Sequence, residues 1–295
     1  MTDPKPLFDS ALLTHRRNRA AAQAGSHDFL LARVADDFAE RLAIVQRTFP
    51  LVADLGSHHG LLGRRIAALP NVGQVVSLDA AERLLTAAPP PRVLGHLEAL
   101  PFADGAFDLV VSGLALQLVD DLPGTLVQIR RILKPDGLLL AALLGGQTLR
   151  ELREAWLLAE DQTLGGVSPR VAPFADVRDL GGLLQRAGFA LPVVDSDVVT
   201  VTYRDPLALM GDIKGMGGSN MLADRRRTPA TRGLLRRAAE IYGERFARAD
   251  GRIPATFEIL TLTAWGPDES QPKPLKPGSA TARLADALGV KERKL

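Results

Sequence analysis

A glycine-containing loop between an apolar run and a helical segment constrains the fold of this chain more than any other feature. The loop at residues 54–60 reads DLGSHHG, and it joins the apolar run 51–53 to the helical pattern at 61–69. The next apolar run ends at Asp79. A glycine turn between a strand and a helix lets backbone N–H groups approach a ligand, and an acid at the tip of the next strand can bind both ribose hydroxyls. The loop therefore predicts a nucleotide pocket.

Strand and helix patterns alternate through the first half of the chain. The predicted strands are short runs rich in Val, Leu and Ala, at residues 51–53, 74–78, 92–97, 107–112 and 138–144. Between them lie helical patterns at 61–69, 80–88 and 122–133. This alternation predicts an α/β fold in which helices cover both faces of a mostly parallel sheet.

Two later runs, at 192–203 and 256–265, are predicted to form an antiparallel pair that closes the sheet, with the helices between them free to form a lid. We divide the chain into an N-terminal helical segment at 1–48, in which residues 8–47 are helical in pattern, and a domain at 49–265. Helical insertions fall at about 147–190 and 205–250 of that domain, and a Pro-rich tail follows at 266–295.

Composition excludes several classes of protein. The chain of 295 residues has 36 Lys and Arg against 34 Asp and Glu, so its net charge of +2 gives no argument for nucleic acid. With no cysteine, disulfides and thiolate metal sites are excluded. No secretory signal is recognisable, and the longest strongly apolar run, 138–144, is too short to span a bilayer. We expect a soluble cytoplasmic protein for which peripheral membrane association stays open.

The acids of the loop and of the second run have simpler explanations too. Asp54 could cap the following turn, and Asp79 could cap the helix after it. Their combination in one strand–loop–helix frame favours a cofactor site. His58 is the exception in this frame, because a histidine tolerates positive φ but occupies room that a glycine would leave to a ligand.

The histidines of the predicted loops allow a second interpretation, a metal site. His58, His59 and His96 fall in loops predicted to meet at one edge of the sheet, where imidazole with Asp54 or Asp79 would suit iron or zinc. Adjacent histidines rarely both point inward, so we interpret them as residues of a pocket rim and predict no metal. Other polar residues could face a substrate from the lid, namely Tyr203, Asn220, Arg150, Arg153 and Glu258. The basic clusters 16–19 and 225–227 are interpreted as solvated.

Two further segments resemble the class I S-adenosylmethionine-dependent methyltransferases. They are residues 98–112 (EALPFADGAFDLVVS) and 132–138 (ILKPDGL), and with the loop the resemblance covers about residues 30–145. It implies a Rossmann-like, seven-stranded fold and S-adenosyl-L-methionine as cofactor. By position, Asp54 would orient the methionine end, Asp79 would hold the ribose and His96 to Glu98 would border the adenine. The predicted cofactor-binding residues are Asp54, Gly56, Ser57, Gly60, Asp79, Glu98 and Ala99.

The second half resembles one branch of that fold, the respiratory complex I assembly factor 5 family. The resemblance rests on segments 145–153, 165–169 with 173–174, 179–189, 215–220, 254–257 with Trp265, and 270–274. The family implies a methyltransferase fold whose mitochondrial member hydroxylates an arginine of a complex I subunit, and bacterial members resemble malonyl-acyl carrier protein methyltransferases. The chain departs from the mitochondrial pattern at Ser57 and His58, which are cysteine and glycine there.

From these features we predict an S-adenosylmethionine-dependent methyltransferase fold that acts on a protein substrate and supports complex I assembly, with a complex I subunit as the candidate partner. A non-catalytic assembly factor with a degenerate cofactor site is one alternative, and His58 and His96 favour it. A carrier-protein or small-molecule O-methyltransferase is another. No catalytic residue is predicted, because a sulfonium methyl reacts once a nucleophile is held in line.

Overall fold

A seven-stranded sheet forms the centre of the protein, in the order β3-β2-β1-β4-β5-β7-β6. The computed structural model describes residues 5–272 and residue 289. Neighbours among β1 to β5 are parallel, and β7 runs antiparallel to both β5 and β6. The predicted parallel sheet with its closing antiparallel pair is confirmed. The strands are β1 (Phe49–Leu55), β2 (Val72–Asp79), β3 (Arg92–Leu94), β4 (Phe107–Gly113), β5 (Leu133–Leu144), β6 (Ala190–Tyr203) and β7 (Ile253–Trp265).

Helices cover both faces of this sheet. They are α1 (Ser10–Ala20), α2 (Phe29–Ile44), α3 (Leu61–Ala67), α4 (Glu82–Leu85), α5 (Leu122–Ile132), α6 (Arg150–Leu164), α7 (Val177–Arg186), α8 (Pro206–Gly215) and α9 (Arg232–Phe246). One hydrophobic core joins the sheet to α2, α3, α6 and α9. A second core on the opposite face joins it to α5 and α7. The alternating strand and helix patterns therefore have their expected cause, burial of both sheet faces.

Strand register places the two predicted acids side by side. In the pairing of β1 with β2, Leu55 lies opposite Leu78, so Asp54 and Asp79 stand at the carboxyl ends of adjacent strands. On the other side of β1, Asp54 lies opposite Val111 of β4. Ligands of open parallel sheets bind at this edge, and both acids face it.

The N-terminal segment differs from its prediction. The helix expected over residues 8–47 is broken, because α1 ends at Ala20 and a 3-10 helix (Ala21–Ser26) leads to α2. Gly25 favours this break, since glycine is a poor helix former. The helix predicted at 80–88 is likewise reduced to α4, and the strand predicted at 138–144 begins earlier, at Leu133.

The insertions of the second half contribute helices to both faces of the sheet, α6 and α9 to one core and α7 to the other. Helices α6 and α7 stand between β5 and β6, and α8 and α9 between β6 and β7. Within residues 5–272, no helix combines the length and apolar character needed to cross a bilayer. The predicted Pro-rich tail lies outside the described residues from 273 onward, apart from residue 289.

Candidate cofactor site and adjoining cavity

Two glycines give the loop after β1 its shape. Gly56 and Gly60 have φ of 69° and 79°, a left-handed conformation in which side chains are strained. A Cβ on Gly56 would lie 2.2 Å from Cβ of Ala115, and one on Gly60 would lie 2.7 Å from Ala88. Both positions therefore require glycine, for backbone conformation and for close packing.

Asp54 is fully buried at the end of β1, and only one of its two carboxylate oxygens is hydrogen-bonded among the described residues. Its Oδ2 accepts a hydrogen bond from the backbone N of Gly63 at 3.1 Å, which is the capping role that the sequence allowed. Its Oδ1 is buried and has no hydrogen-bond partner among residues 5–272. The pKa of Asp54 is raised to about 7, chiefly by burial; the Gly63 hydrogen bond opposes the rise and the charge of Asp79 adds to it. An unpaired buried oxygen is costly unless a ligand or water satisfies it.

Asp79 has three donors around its buried carboxylate. Oδ1 accepts from the backbone N of Ala81 at 2.7 Å. Oδ2 accepts from the backbone N of His58 at 3.0 Å and from Nη2 of Arg17 at 2.9 Å. The side chains of Arg17 and Asp79 are 8% and 0% exposed, so this is a buried ion pair. Helix α1 thus reaches the residue predicted to hold the ribose.

His58 turns its ring toward the same arginine. Nδ1 of His58 lies 3.1 Å from Nη2 of Arg17. Because arginine only donates, Nδ1 accepts and the proton of the neutral ring is on Nε2. Burial, together with the charge of Arg17, lowers the pKa of His58, which keeps the ring neutral near pH 7. Its φ of 53° is left-handed, as the sequence analysis allowed.

A cavity of about 370 Å³ adjoins the loop beneath α6, α8 and the segment 216–222, which together we call the lid. Most of its wall is apolar, from α2, α6, α8 and the segment 216–222. Its polar residues are Arg17, His27, Asp28, His58, His59, Gln117, Arg170, Ser219 and Asn220. Enclosed apolar walls with a few polar groups are typical of small-molecule and substrate sites.

Comparisons with known proteins agree with this geometry. The methyltransferase domain family matches residues 53–141. The mitochondrial arginine-hydroxylase NDUFAF5 of Homo sapiens is 40% identical over 294 residues, covering 97% of this chain and 85% of the relative. The chain belongs to the NDUFAF5 family. The resemblance found in the second half of the sequence is thereby confirmed.

The chain is also similar to methyltransferases outside the NDUFAF5 family and to solved structures of the same fold. The malonyl-[acyl-carrier protein] O-methyltransferase of Halorhodospira halophila is 37% identical over 245 residues, covering 80% of this chain and 81% of the relative. Among solved structures, the YcgJ protein of Bacillus subtilis superposes with a TM-score of 0.55 at 16% identity, over 80% of this chain and 99% of that one. A Bacillus halodurans methyltransferase-fold protein gives a TM-score of 0.56 at 18% identity, over 79% and 98% of the two chains. The predicted class I methyltransferase fold is confirmed.

The remaining predicted binding residues have different surroundings. Ser57 is buried, and its Oγ has no partner within the described chain. Glu98 is exposed, and its Oε1 accepts from the backbone N atoms of Asp120 and Asp121 at the start of α5. Ala99 is exposed in a turn closed by its N and the carbonyl of His96. Neither Glu98 nor Ala99 lines the cavity, and their binding roles stay predictions.

His59 and His96 have different surroundings from His58. His59 contacts Asp28 through Nε2 at 3.1 Å, and His96 is exposed. Over residues 5–272, no group of three or more His, Asp or Glu side chains is arranged to hold a metal ion.

Several residues that shape this site carry no recognisable signal in the sequence. Arg17 belongs to the cluster interpreted as solvated, and that interpretation is wrong for Arg17, which is buried. His27 and Asp212 were not singled out, because they lie far apart in sequence. Of the five residues predicted to face a substrate from the lid, only Asn220 lines the cavity. Tyr203 hydrogen-bonds Asp212, and Arg150 contacts Glu151. Arg153 donates to backbone carbonyls, and Glu258 accepts from Gln147 and Ser196.

Proposed function

We propose that this protein binds S-adenosylmethionine at the loop after β1 and transfers its methyl group to a protein side chain in the adjoining cavity, in support of respiratory complex I assembly. The NDUFAF5 relatives and the methyltransferase domain match support the class of cofactor and partner. The cofactor, when bound, supplies an electrophilic methyl group on a sulfonium. The chain supplies the pocket, the orientation and the exclusion of water.

The observation that carries this proposal is the count of open acceptor positions on Asp79. Each carboxylate oxygen has two lone pairs. Oδ1 uses one for Ala81, and Oδ2 uses both, for His58 and Arg17. One position on Oδ1 is therefore open already, and withdrawal of Arg17 opens one on Oδ2, so that two positions match the two hydroxyls of a ribose. Asp79 therefore fits the cofactor once Arg17 has moved.

Asp54 fits the other end of the cofactor. Its Oδ1 is buried and unpaired, and an ammonium group placed there would satisfy it. A cation at this position would also lower the raised pKa of Asp54 and keep the carboxylate charged. Asp54, Asp79 and the backbone of Gly56 to Gly60 would thus hold the methionine end and the ribose.

Calorimetric titration with S-adenosylhomocysteine tests this assignment. We expect binding to the natural chain and about 10- to 100-fold weaker binding to Asp79→Asn, because two charge-assisted hydrogen bonds are weakened. Asp104→Asn is the matched control, since Asp104 is an exposed acid that pairs with Arg131, away from the loop. Absence of binding to all three proteins would reject the proposal.

A second candidate is a non-catalytic assembly factor that has kept the fold and lost the cofactor. The buried pair of Arg17 with Asp79, and the His58 ring beside it, favour this candidate because they fill the ribose position. His58→Gly would remove the ring and relax the left-handed backbone. Binding of S-adenosylhomocysteine to His58→Gly but not to the natural chain would decide for this candidate.

A further inference from the structure

Three polar side chains, from β6, from α8 and from the turn before α2, form a chain of hydrogen bonds that ends at the cavity. The hydroxyl of Tyr203 donates to Oδ2 of Asp212 at 2.7 Å. Oδ1 of Asp212 lies 2.5 Å from Nδ1 of His27. The three residues come from the end of β6, from α8 and from the turn before α2, so the arrangement exists only when the lid is folded over the N-terminal segment.

The ring of His27 is held in place by packing as well. A Cβ on Gly215 would lie 2.2 Å from Cδ2 of His27 and 2.4 Å from its Nε2, so only glycine allows the ring to rest on α8. Side-chain exposure of His27 and Asp212 is 25% and 19%, which leaves the pair partly screened from solvent. Ring and carboxylate are therefore fixed relative to each other before any ligand binds.

This geometry sets the tautomer of His27. A carboxylate accepts, so the ring donates through Nδ1–H and leaves the lone pair on Nε2. Nε2 makes no hydrogen bond within the part of the chain that is described, and His27 lines the cavity. The next residue, Asp28, contacts His59 of the cofactor loop, which ties the turn carrying His27 to that loop.

We propose that His27 is the general base of the transfer reaction, positioned by Asp212 and Tyr203, and that the acceptor is a side chain whose nucleophilic atom carries a proton. Amines, guanidines and hydroxyls belong to this class, whereas a carboxylate needs no base. The inference rests on the proposed function and narrows its substrate class. In the reaction, the acceptor atom forms a bond to the methyl carbon while the carbon–sulfur bond breaks and its electrons stay on sulfur. The acceptor proton passes to Nε2 of His27 and then to solvent.

The tautomer is testable without any cofactor or acceptor. Long-range ¹H–¹⁵N NMR of the full chain labelled in histidine reads which ring nitrogen carries the proton, and His27→Gln assigns the signal. We expect Nδ1–H for His27 at pH 8, and a shift toward Nε2–H in Asp212→Asn. His58 should show the opposite tautomer, Nε2–H, because its Nδ1 accepts from Arg17. A protonated Nε2 in His27 of the natural chain would overturn the proposal.

Methyl transfer to two defined acceptors tests the substrate class. The acceptors are malonyl-acyl carrier protein, a carboxylate, and a peptide carrying arginine, lysine and serine. We expect methyl transfer to the peptide. In His27→Gln, kcat should fall by at least about 100-fold while the affinity for the cofactor stays unchanged. His15→Gln is the control, since His15 is exposed on α1. Transfer to malonyl-acyl carrier protein that His27→Gln leaves intact, or transfer to neither acceptor, would contradict the role of His27.

These outcomes separate the inference from the proposed function. S-adenosylhomocysteine titration of His27→Gln reports on the cofactor site alone. If that variant binds the ligand normally and the tautomer is wrong, only the base assignment fails. If the tautomer is right and no protein binds the ligand, the proposed function fails while the hydrogen-bond chain stands.

Discussion

Asp79 has room at Oδ2 for a guanidinium or for a ribose hydroxyl, and not for both. The guanidinium of Arg17 now occupies that position, from a helix outside the sheet. Nε of Arg17 is buried and finds no partner in the part of the chain that the structure describes, so the ion pair leaves one polar atom of Arg17 unsatisfied there. A ligand that offers two hydroxyls to Asp79 therefore replaces an imperfect contact, provided that Arg17 can return to solvent.

Replacement of Arg17 by alanine should have two opposite effects. Without ligand, the free energy of unfolding should fall by about 3 kcal/mol, because one half of a buried ion pair remains. Binding of S-adenosylhomocysteine should strengthen about tenfold, because its competitor for Asp79 is gone. Urea unfolding and calorimetry measure the two effects. Arg19→Ala is the control from the same helix, since Arg19 is exposed, and weaker ligand binding to Arg17→Ala would make Arg17 a cofactor ligand instead.

Asp54 gives a pH-dependent prediction. The pKa of Asp54 in the folded protein is about 7, above the ordinary value of 3.8, so the folded state favours the protonated carboxyl. The stability that this provides is fully present below pH 3.8 and is lost as the pH rises toward 7. Asp54→Asn removes this loss. The variant should gain stability relative to the natural chain between pH 4 and 7, by an amount on the order of 4 kcal/mol. Urea unfolding across this range measures the difference, and parallel pH profiles of the two proteins would contradict the assignment.

At the scale of elements, residues 7–20 hold Arg17 against the carboxyl edge of the sheet, and we call them the N-terminal strap. Phe8 packs with Met221 and Leu222 in a small cluster separate from the main cores. Backbone N atoms of Leu7 and Phe8 donate to Oδ1 of Asp120, and Asp9 pairs with Arg225. These contacts hold α1, and with it Arg17, against the loop after β1. Small satellite clusters open more readily than a main core.

Phe8→Ala should release this strap without unfolding the sheet. The ring of Phe8 is buried in this cluster, so its removal leaves a cavity there, and we expect hydrogen exchange in α1 to accelerate by about tenfold or more while exchange in β4 stays unchanged. Hydrogen-exchange mass spectrometry measures both regions. Leu7→Ala is the matched control, since Leu7 is 42% exposed. Equal acceleration in β4 would show that α1 and the sheet unfold together.

At the scale of the whole molecule, the sequence predicts the sheet and its loop but not the contacts across the lid. Apolar runs and glycines are local signals, and they place Asp54 and Asp79 correctly at adjacent strand ends. Arg17 and Asp79 are 62 residues apart, and His27 and Asp212 are 185 apart. No local pattern marks such pairs, because they depend on how the N-terminal segment and the lid fold over one another.

The most direct test of this account is a crystal structure of the natural chain with S-adenosylhomocysteine. We predict that the two ribose hydroxyls lie on the two oxygens of Asp79, that the amino group of the ligand lies on Oδ1 of Asp54, and that Arg17 has left Asp79. The hydrogen bonds from Ala81 and His58 to Asp79 should persist. A ligand bound elsewhere while the pair of Arg17 and Asp79 stays intact would contradict the account.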